Sequence, residues 1–188
     1  LILVFLFQQI SSKIAALVAN IFDYNTIDKY DVFAWLSIHH IVQALFALVL
    51  IAILSKTHNI DFGFKLGDKK IGIKYVKIFT MAMLAYITIT SAIGYLSNQI
   101  MQYDYPLTYV NVLGSLSFQL IFSGSSEEIL FRALPISIIT YLIPSEKGIK
   151  ISKLHISCAN IISAIFFALA HIKWTVSPFS LSMDYMQL

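Results

Sequence analysis

Long apolar runs separated by short polar stretches set the rhythm of this chain. Five runs stand out, at about residues 1–22, 33–55, 75–96, 109–143 and 154–172. The first is the weakest, with Gln8, Gln9 and Lys13 inside it. The second, third and fifth each have the roughly 20 residues a helix needs to cross about 30 Å of hydrocarbon. Backbone groups in lipid must be satisfied within the segment, so helices are expected. No strand-like alternation stands out, so a β-barrel is not expected. The expected fold class is all-α: a polytopic transmembrane helix bundle of about five spans, built as one membrane-embedded domain over residues 1–188. The fourth run is too long, since 35 residues would make roughly 50 Å of helix. Ser123-Gly124-Ser125-Ser126 is the expected break and Pro135 a second kink. Ser125 with Glu128 fits the capping box of a helix start.

Composition supports the membrane reading. Hydrophobic residues make up 58% of the chain and charged ones 12%, against about half and a quarter in soluble domains. A chain of this size cannot bury such an excess against itself. The single cysteine, Cys158, excludes an internal disulfide and a cysteine metal cluster. A net charge of +3, carried by loop lysines, gives no support for nucleic-acid binding. Residues 1–7 lack a basic flank and a cleavage site, so they are expected to belong to a span rather than a signal peptide.

The loops give an orientation. Asp23, Asp28 and Asp31 stand against Lys29 in the first, and Asp104 is alone in the third. The second and its edges hold Lys56, Lys65, Lys69, Lys70, Lys74 and Lys77. The fourth holds Lys147, Lys150 and Lys153 against Glu146. By the positive-inside rule, the loops near 56–74 and 144–153 are expected to face the cytoplasm.

The candidate chemistry lies in "SGSSEEILFRALP", residues 123–135. Glu127, Glu128 and Arg132 are the only charges between Asp104 and Glu146, and Arg132 is the only arginine. A charge at mid-membrane costs at least about 2.5–3.5 kcal/mol, so the three are expected to face a protein interior or a wet cavity. Glu128 and Arg132, four apart, can pair on one helix face. Glu127 is rotated about 100° away and poorly placed to share the arginine. It remains available as a general base.

The second constellation is "FFALAHIKW". Asn160, Ser163, Phe167 and His171 recur at i, i+3, i+7 and i+11, a stripe suited to packing on another membrane helix. Counted from the cytoplasmic ends of their runs, Glu127 and His171 both lie roughly 24–27 Å deep. They are expected to face each other and share a water. His39 and His40, near the interface, His58 in a loop and His155 at a helix start are expected to be structural. Trp35, Trp174, Tyr103 and Tyr105 are expected as interfacial aromatics.

Glu127, Glu128 and Arg132, followed about 40 residues later by Phe167 and His171, resemble the first two motifs of the CPBP intramembrane proteases. This family holds CAAX prenyl endopeptidases and bacteriocin-processing or immunity proteins. "EEILFRALP" and "SAIFFALAHI" carry the likeness, which covers about residues 60–172. "DFGFKLGDKK" resembles the short loop before the family's core spans. Ala133 stands where the family often has Gly, a difference expected to affect packing more than chemistry. The resemblance implies an intramembrane endopeptidase, in the bacterial plasma membrane, with a peptide or prenylated peptide as substrate and the lipid bilayer as its surroundings. Glu127 and His171 would activate water, while Glu128 and Arg132 would set geometry and charge. The family's third motif, a later His followed by Asn or Asp, has no counterpart after His171, so the chain is expected to be incomplete. Metal use is open. Glu127 and His171 are the candidate ligands for a divalent ion such as zinc, too few for a closed site but enough for an open one. The alternative is a non-catalytic membrane protein, such as an immunity or scaffold protein. A proton-coupled carrier fits less well, because one break and no repeat are visible.

Overall fold

The computed structural model describes residues 2–65, 67–97, 103–143, 148–151, 154–176 and 179–183. It divides into two compact units, Gly63–Leu107 on one hand and Leu1–Phe62 with Thr108–Leu188 on the other.

The smaller unit is built on α3 (Lys69–Leu96), 28 residues long. The Asp68 carboxylate caps its start by accepting from the backbone N–H groups of Lys70 and Ile71 at 2.8 and 3.2 Å. The helix therefore begins six residues before the apolar run that predicted it.

In the larger unit, α1 (Ile2–Ala19) and α2 (Ala34–His58) are apolar enough, and at 18 and 25 residues long enough, to span a membrane, as is α3. The buried positions of α1 are Val4, Gln8, Ser11, Ala15 and Ala19, and those of α2 are Gln43, Ala47 and Ile51. Spacings of three and four place each set on one face. The small and polar residues among them let the helix backbones approach closely, as in membrane packing. Asp28 sets where α2 begins. Its buried carboxylate accepts from the N–H groups of Val32, Phe33 and Ala34 at 2.9, 2.7 and 2.7 Å. Asn59, in the left-handed conformation, ends the helix. His58 is thus the last residue of α2 rather than a loop residue, with its ring 6.4 Å from that of Tyr141.

Residues 109–142 form one continuous helical stretch, the motif helix. It runs through α4 (Tyr109–Ser117), a π turn (Phe118–Ser123), α5 (Gly124–Glu127), a second π turn (Glu128–Ala133) and α6 (Leu134–Leu142). The break expected at 123–126 is absent, since Ser123 and Gly124 both keep right-handed helical dihedrals. The expected capping box is absent too. The Ser125 hydroxyl bonds back to the Ile121 carbonyl inside the helix, and the true N-cap is Thr108, which accepts from Asn111 N–H at 3.2 Å. The sequence marks an irregularity at the right places, but it takes the form of widened turns, which keep backbone groups bonded where a break would expose them.

Pro135 explains the second π turn. The Leu134 N–H reaches back to Ile129 O, one residue beyond the α-helical partner. Leu130 O therefore loses its usual donor, and Pro135 has no N–H to offer either Leu130 or Phe131. Side chains from other helices fill both gaps. Gln8 Nε2 donates to Leu130 O at 3.0 Å, and the Ser163 hydroxyl donates to Phe131 O.

The fifth run is shorter as a helix than expected. α7 is Cys158–Ala170, 13 residues, started by Ser157, whose hydroxyl accepts from Asn160 N–H at 3.3 Å. Two small antiparallel hairpins flank it, β1 (Gly148–Ile151) with β2 (Leu154–Ser157), and β3 (Ile172–Val176) with β4 (Phe179–Met183). His155 lies in β2, opposite Lys150, and not at a helix start. Glu146, Lys147 and Lys153, used for the loop charge, lie outside the described residues. One apolar cluster joins these helices, with Ala47 and Ile51 of α2, Leu130, Phe131 and Leu134 of the motif helix, and Phe167 and Ala170 of α7 around it.

Candidate active site

The expected ion pair is formed. Arg132 Nη1 lies 2.7 Å from Glu128 Oε1, four residues apart. Its surroundings differ from expectation. The two side chains are 68% and 58% exposed, so the described residues do not enclose the pair. The π turn widens the helix here and turns this face outward from the core formed by Leu130 and Phe131.

Glu127 is half-buried and takes a different partner. The Ser123 hydroxyl, one turn earlier, donates to its Oε1 at 3.1 Å. No cation pairs with it among the described residues, so the division between the two acids follows their angular separation. One carboxylate is neutralised by Arg132, and the other keeps only a neutral hydrogen bond.

α7 seats against the second π turn. Ser163 is buried and bonds to Phe131 O, and the Phe167 ring meets that of Phe131 edge-on at 5.5 Å. The polar stripe therefore faces the motif helix at these two positions, while Asn160, at its far end, is exposed. His171 caps the C-terminus of α7, with its ring 4.4 Å from Phe167 and its Nδ1 2.8 Å from the Phe167 carbonyl. A carbonyl can only accept, so Nδ1 carries the proton. In the neutral ring, Nε2 then presents a lone pair.

The sequence reading did not place His40 beside the motif helix, where the structure puts it. Its Nδ1 lies 2.7 Å from Ser126 Oγ, next to Glu127 in the chain, and its ring packs edge-on against Phe118 at 5.2 Å. A signal was present, because His40, Gln43, Ala47 and Ile51 repeat the i, i+3, i+7, i+11 spacing that marked α7. His39 does something else. It stacks on Trp35 at 5.0 Å and bonds through Nε2 to the Ser12 carbonyl at 3.2 Å, tying α2 to α1.

Each of the three groups lies several turns along its helix. His171 follows 13 residues of α7, about 20 Å from the helix start, and Glu127 lies about 22 Å from the end of α6. His40 lies about 27 Å from the end of α2. Among the described residues, no three His, Cys, Asp or Glu side chains gather as a metal site.

These features define a helical membrane protein in which a half-buried carboxylate lies on a helix packed against two others that each carry an imidazole. Residues 109–185 match the family model of the type II CAAX prenyl endopeptidase, Rce1-like, consistent with a protease of the CPBP family. The matched segment begins with the motif helix and includes α7, so it contains Glu127, Glu128, Arg132 and His171. It supports an intramembrane endopeptidase acting on a peptide. No curated protein and no solved structure matches the chain.

Proposed function

We propose that this protein hydrolyses a peptide bond in the membrane with a water held between Glu127 and His171, and that its substrate is a prenylated peptide. The observation that carries the reading is the seating of α7 on the motif helix. Ser163 and Phe167 fasten it beside Phe131, one turn from Glu127. His171 Nε2 and the Glu127 carboxylate are both acceptors, so they can take the two protons of one water and leave its oxygen lone pair for attack. Glu127 removes one proton as that oxygen bonds to the peptide carbonyl carbon. The same proton then passes to the departing amine nitrogen as the C–N bond breaks. The Glu128–Arg132 pair engages the only arginine, so Glu127 shares no charge partner with it.

The test is cleavage of a farnesylated peptide with a CAAX ending by the purified chain in detergent or nanodiscs. Glu127→Gln keeps the shape and removes the base, and is expected to slow cleavage about 10²-fold or more. His171→Ala is expected to cost a similar factor. The double variant should lose little more, because the two groups act on one water. Undiminished cleavage by a folded Glu127→Gln variant would overturn the assignment.

A further inference from the structure

No residue of α3 is buried. Thr88 and Thr90 turn their hydroxyls back to the carbonyls of Leu84 and Tyr86, both at 2.8 Å. A helix whose backbone and hydroxyl groups are met from within can stand in lipid. Its length divides it in two. Residues 78–96 carry no charge and make roughly 28 Å of helix, close to the hydrocarbon thickness of about 30 Å. All 28 residues make roughly 42 Å. The excess is the segment 69–77 at the start of the helix, which therefore stands in the headgroup layer, with Tyr75 as an interfacial ring.

That segment holds all the charges of α3, on Lys69, Lys70, Lys74 and Lys77. Lys70, Lys74 and Lys77 fall at i, i+4 and i+7, on one face. The face is unfavourable by itself on two counts. Like charges at those spacings repel. They also lie at the positive end of the helix dipole, where cations are disfavoured. The first turn has no acid to offset them. Asp68, just before the helix, has its carboxylate bonded to the backbone N–H groups of Lys70 and Ile71. Among the described residues, no carboxylate pairs with the four ammonium groups. Ile71, Ile73 and Val76 are exposed between the lysines. These apolar groups can meet acyl chains while the ammonium groups, on flexible stems, stay at the level of the phosphates.

We infer that the segment 69–77 of α3 is a binding surface for anionic phospholipid, on which Lys70, Lys74 and Lys77 take lipid phosphates at the membrane surface. A phosphodiester supplies the negative charge that this face lacks, and relieves both the repulsion between the lysines and their mismatch with the dipole. The first backbone N–H groups of the helix are not the ligands, because Asp68 already caps them. An acidic protein segment fits less well, since the exposed Ile71, Ile73, Tyr75 and Val76 suit the boundary between headgroups and acyl chains. Nothing in this surface depends on Glu127 or His171, so it stands apart from the peptidase reading.

The test puts a bimane fluorophore on Ile73→Cys, beside the lysine face, in a Cys158→Ala chain reconstituted into mixed vesicles of phosphatidylglycerol and phosphatidylcholine. Each lipid is brominated in turn, and the ratio of the two quenching efficiencies reports which one gathers at the helix. Phosphatidylglycerol is expected to exceed its bulk share about fivefold. The excess should fall toward the bulk share in about 1 M sodium chloride, where charges are screened within a few ångströms. Lys70→Gln, Lys74→Gln and Lys77→Gln together should abolish it, and the corresponding three arginine substitutions should keep it. Lys13→Gln, Lys29→Gln and Lys150→Gln together remove the same charge elsewhere and should leave it unchanged. Inorganic phosphate at matched ionic strength should not displace the lipid. No excess in the parent, or an excess that survives the glutamine substitutions at 70, 74 and 77, overturns the inference and leaves these lysines with orientation as their role. Displacement by inorganic phosphate overturns the assignment to lipid. The salt arm uses the lysines unaltered, so it decides the matter if the glutamine variant inserts wrongly: an excess that salt does not reduce also overturns the inference.

Discussion

At the scale of single residues, Gln8, Pro135 and Ser163 show how one missing N–H is shared out among helices. Pro135 withdraws a donor from the carbonyls of Leu130 and Phe131, and Gln8 and Ser163 replace it from α1 and α7. The same two bonds locate both helices beside Glu127 and Glu128. A double-variant cycle follows. Ser163→Ala alone is expected to destabilise the protein by about 1 kcal/mol, within the range for hydrogen bonds between membrane helices. In a Pro135→Ala background the backbone supplies its own donor, and the cost of Ser163→Ala should shrink toward zero. Equal costs in both backgrounds, measured by unfolding in mixed micelles, would show that Ser163 does not serve the proline gap. The sequence displays Pro135, and a kink there was legible. The donors were not, because Gln8 lies 122 residues from Leu130 and nothing local links the two.

At the scale of elements, spacing over 15 residues or more was legible and fine texture was not. The apolar runs located α1, α2 and the motif helix to within a few residues, and α3 apart from its first six, because burial in lipid needs a long apolar stretch whatever the tertiary fold. The fifth run misled for a related reason. A window of about 20 residues averages over Leu154 and Ile156, which alternate with polar neighbours as a hairpin strand requires, and it places a span where α7 has 13 residues. Asp28 was read only as loop charge, yet it organises the start of α2. Three backbone N–H groups converge on its carboxylate, so Asp28→Ala is expected to cost about 2–3 kcal/mol, more than a single cap. Asp28→Asn retains one carbonyl acceptor and is expected to lose about half of that. Thermal unfolding in detergent, followed by far-ultraviolet dichroism, checks both. An unaltered midpoint in Asp28→Ala would mean that α2 starts without this cap. Because α2 carries His40, a shifted start would also move the imidazole away from Ser126.

At the scale of the whole molecule, the question is which ends of the spans meet the cytoplasm. The acidic loop 20–33 precedes α2 and a lysine-rich stretch follows it. At 25 residues and about 1.5 Å each, the helix is roughly 37 Å long, more than the hydrocarbon thickness. Its two ends must therefore open on opposite sides. Lysine resists transfer across the membrane, so the end carrying Lys56, Lys65, Lys69 and Lys70 is expected to be cytoplasmic. This orientation places His40 in the half of the membrane away from the cytoplasm. A prenylated peptide made on the cytoplasmic side would then have to thread its scissile bond deep between α2, the motif helix and α7. Cys158 is the only native cysteine, so Cys158→Ala gives a background for labelling. Asn25→Cys is expected to react with a membrane-impermeant maleimide added outside intact cells, and Lys65→Cys only after the membrane is opened. Labelling of Lys65→Cys from outside, with Asn25→Cys protected, would invert the protein and put the site nearer the cytoplasm. Labelling of both from outside would show that α2 does not cross the membrane.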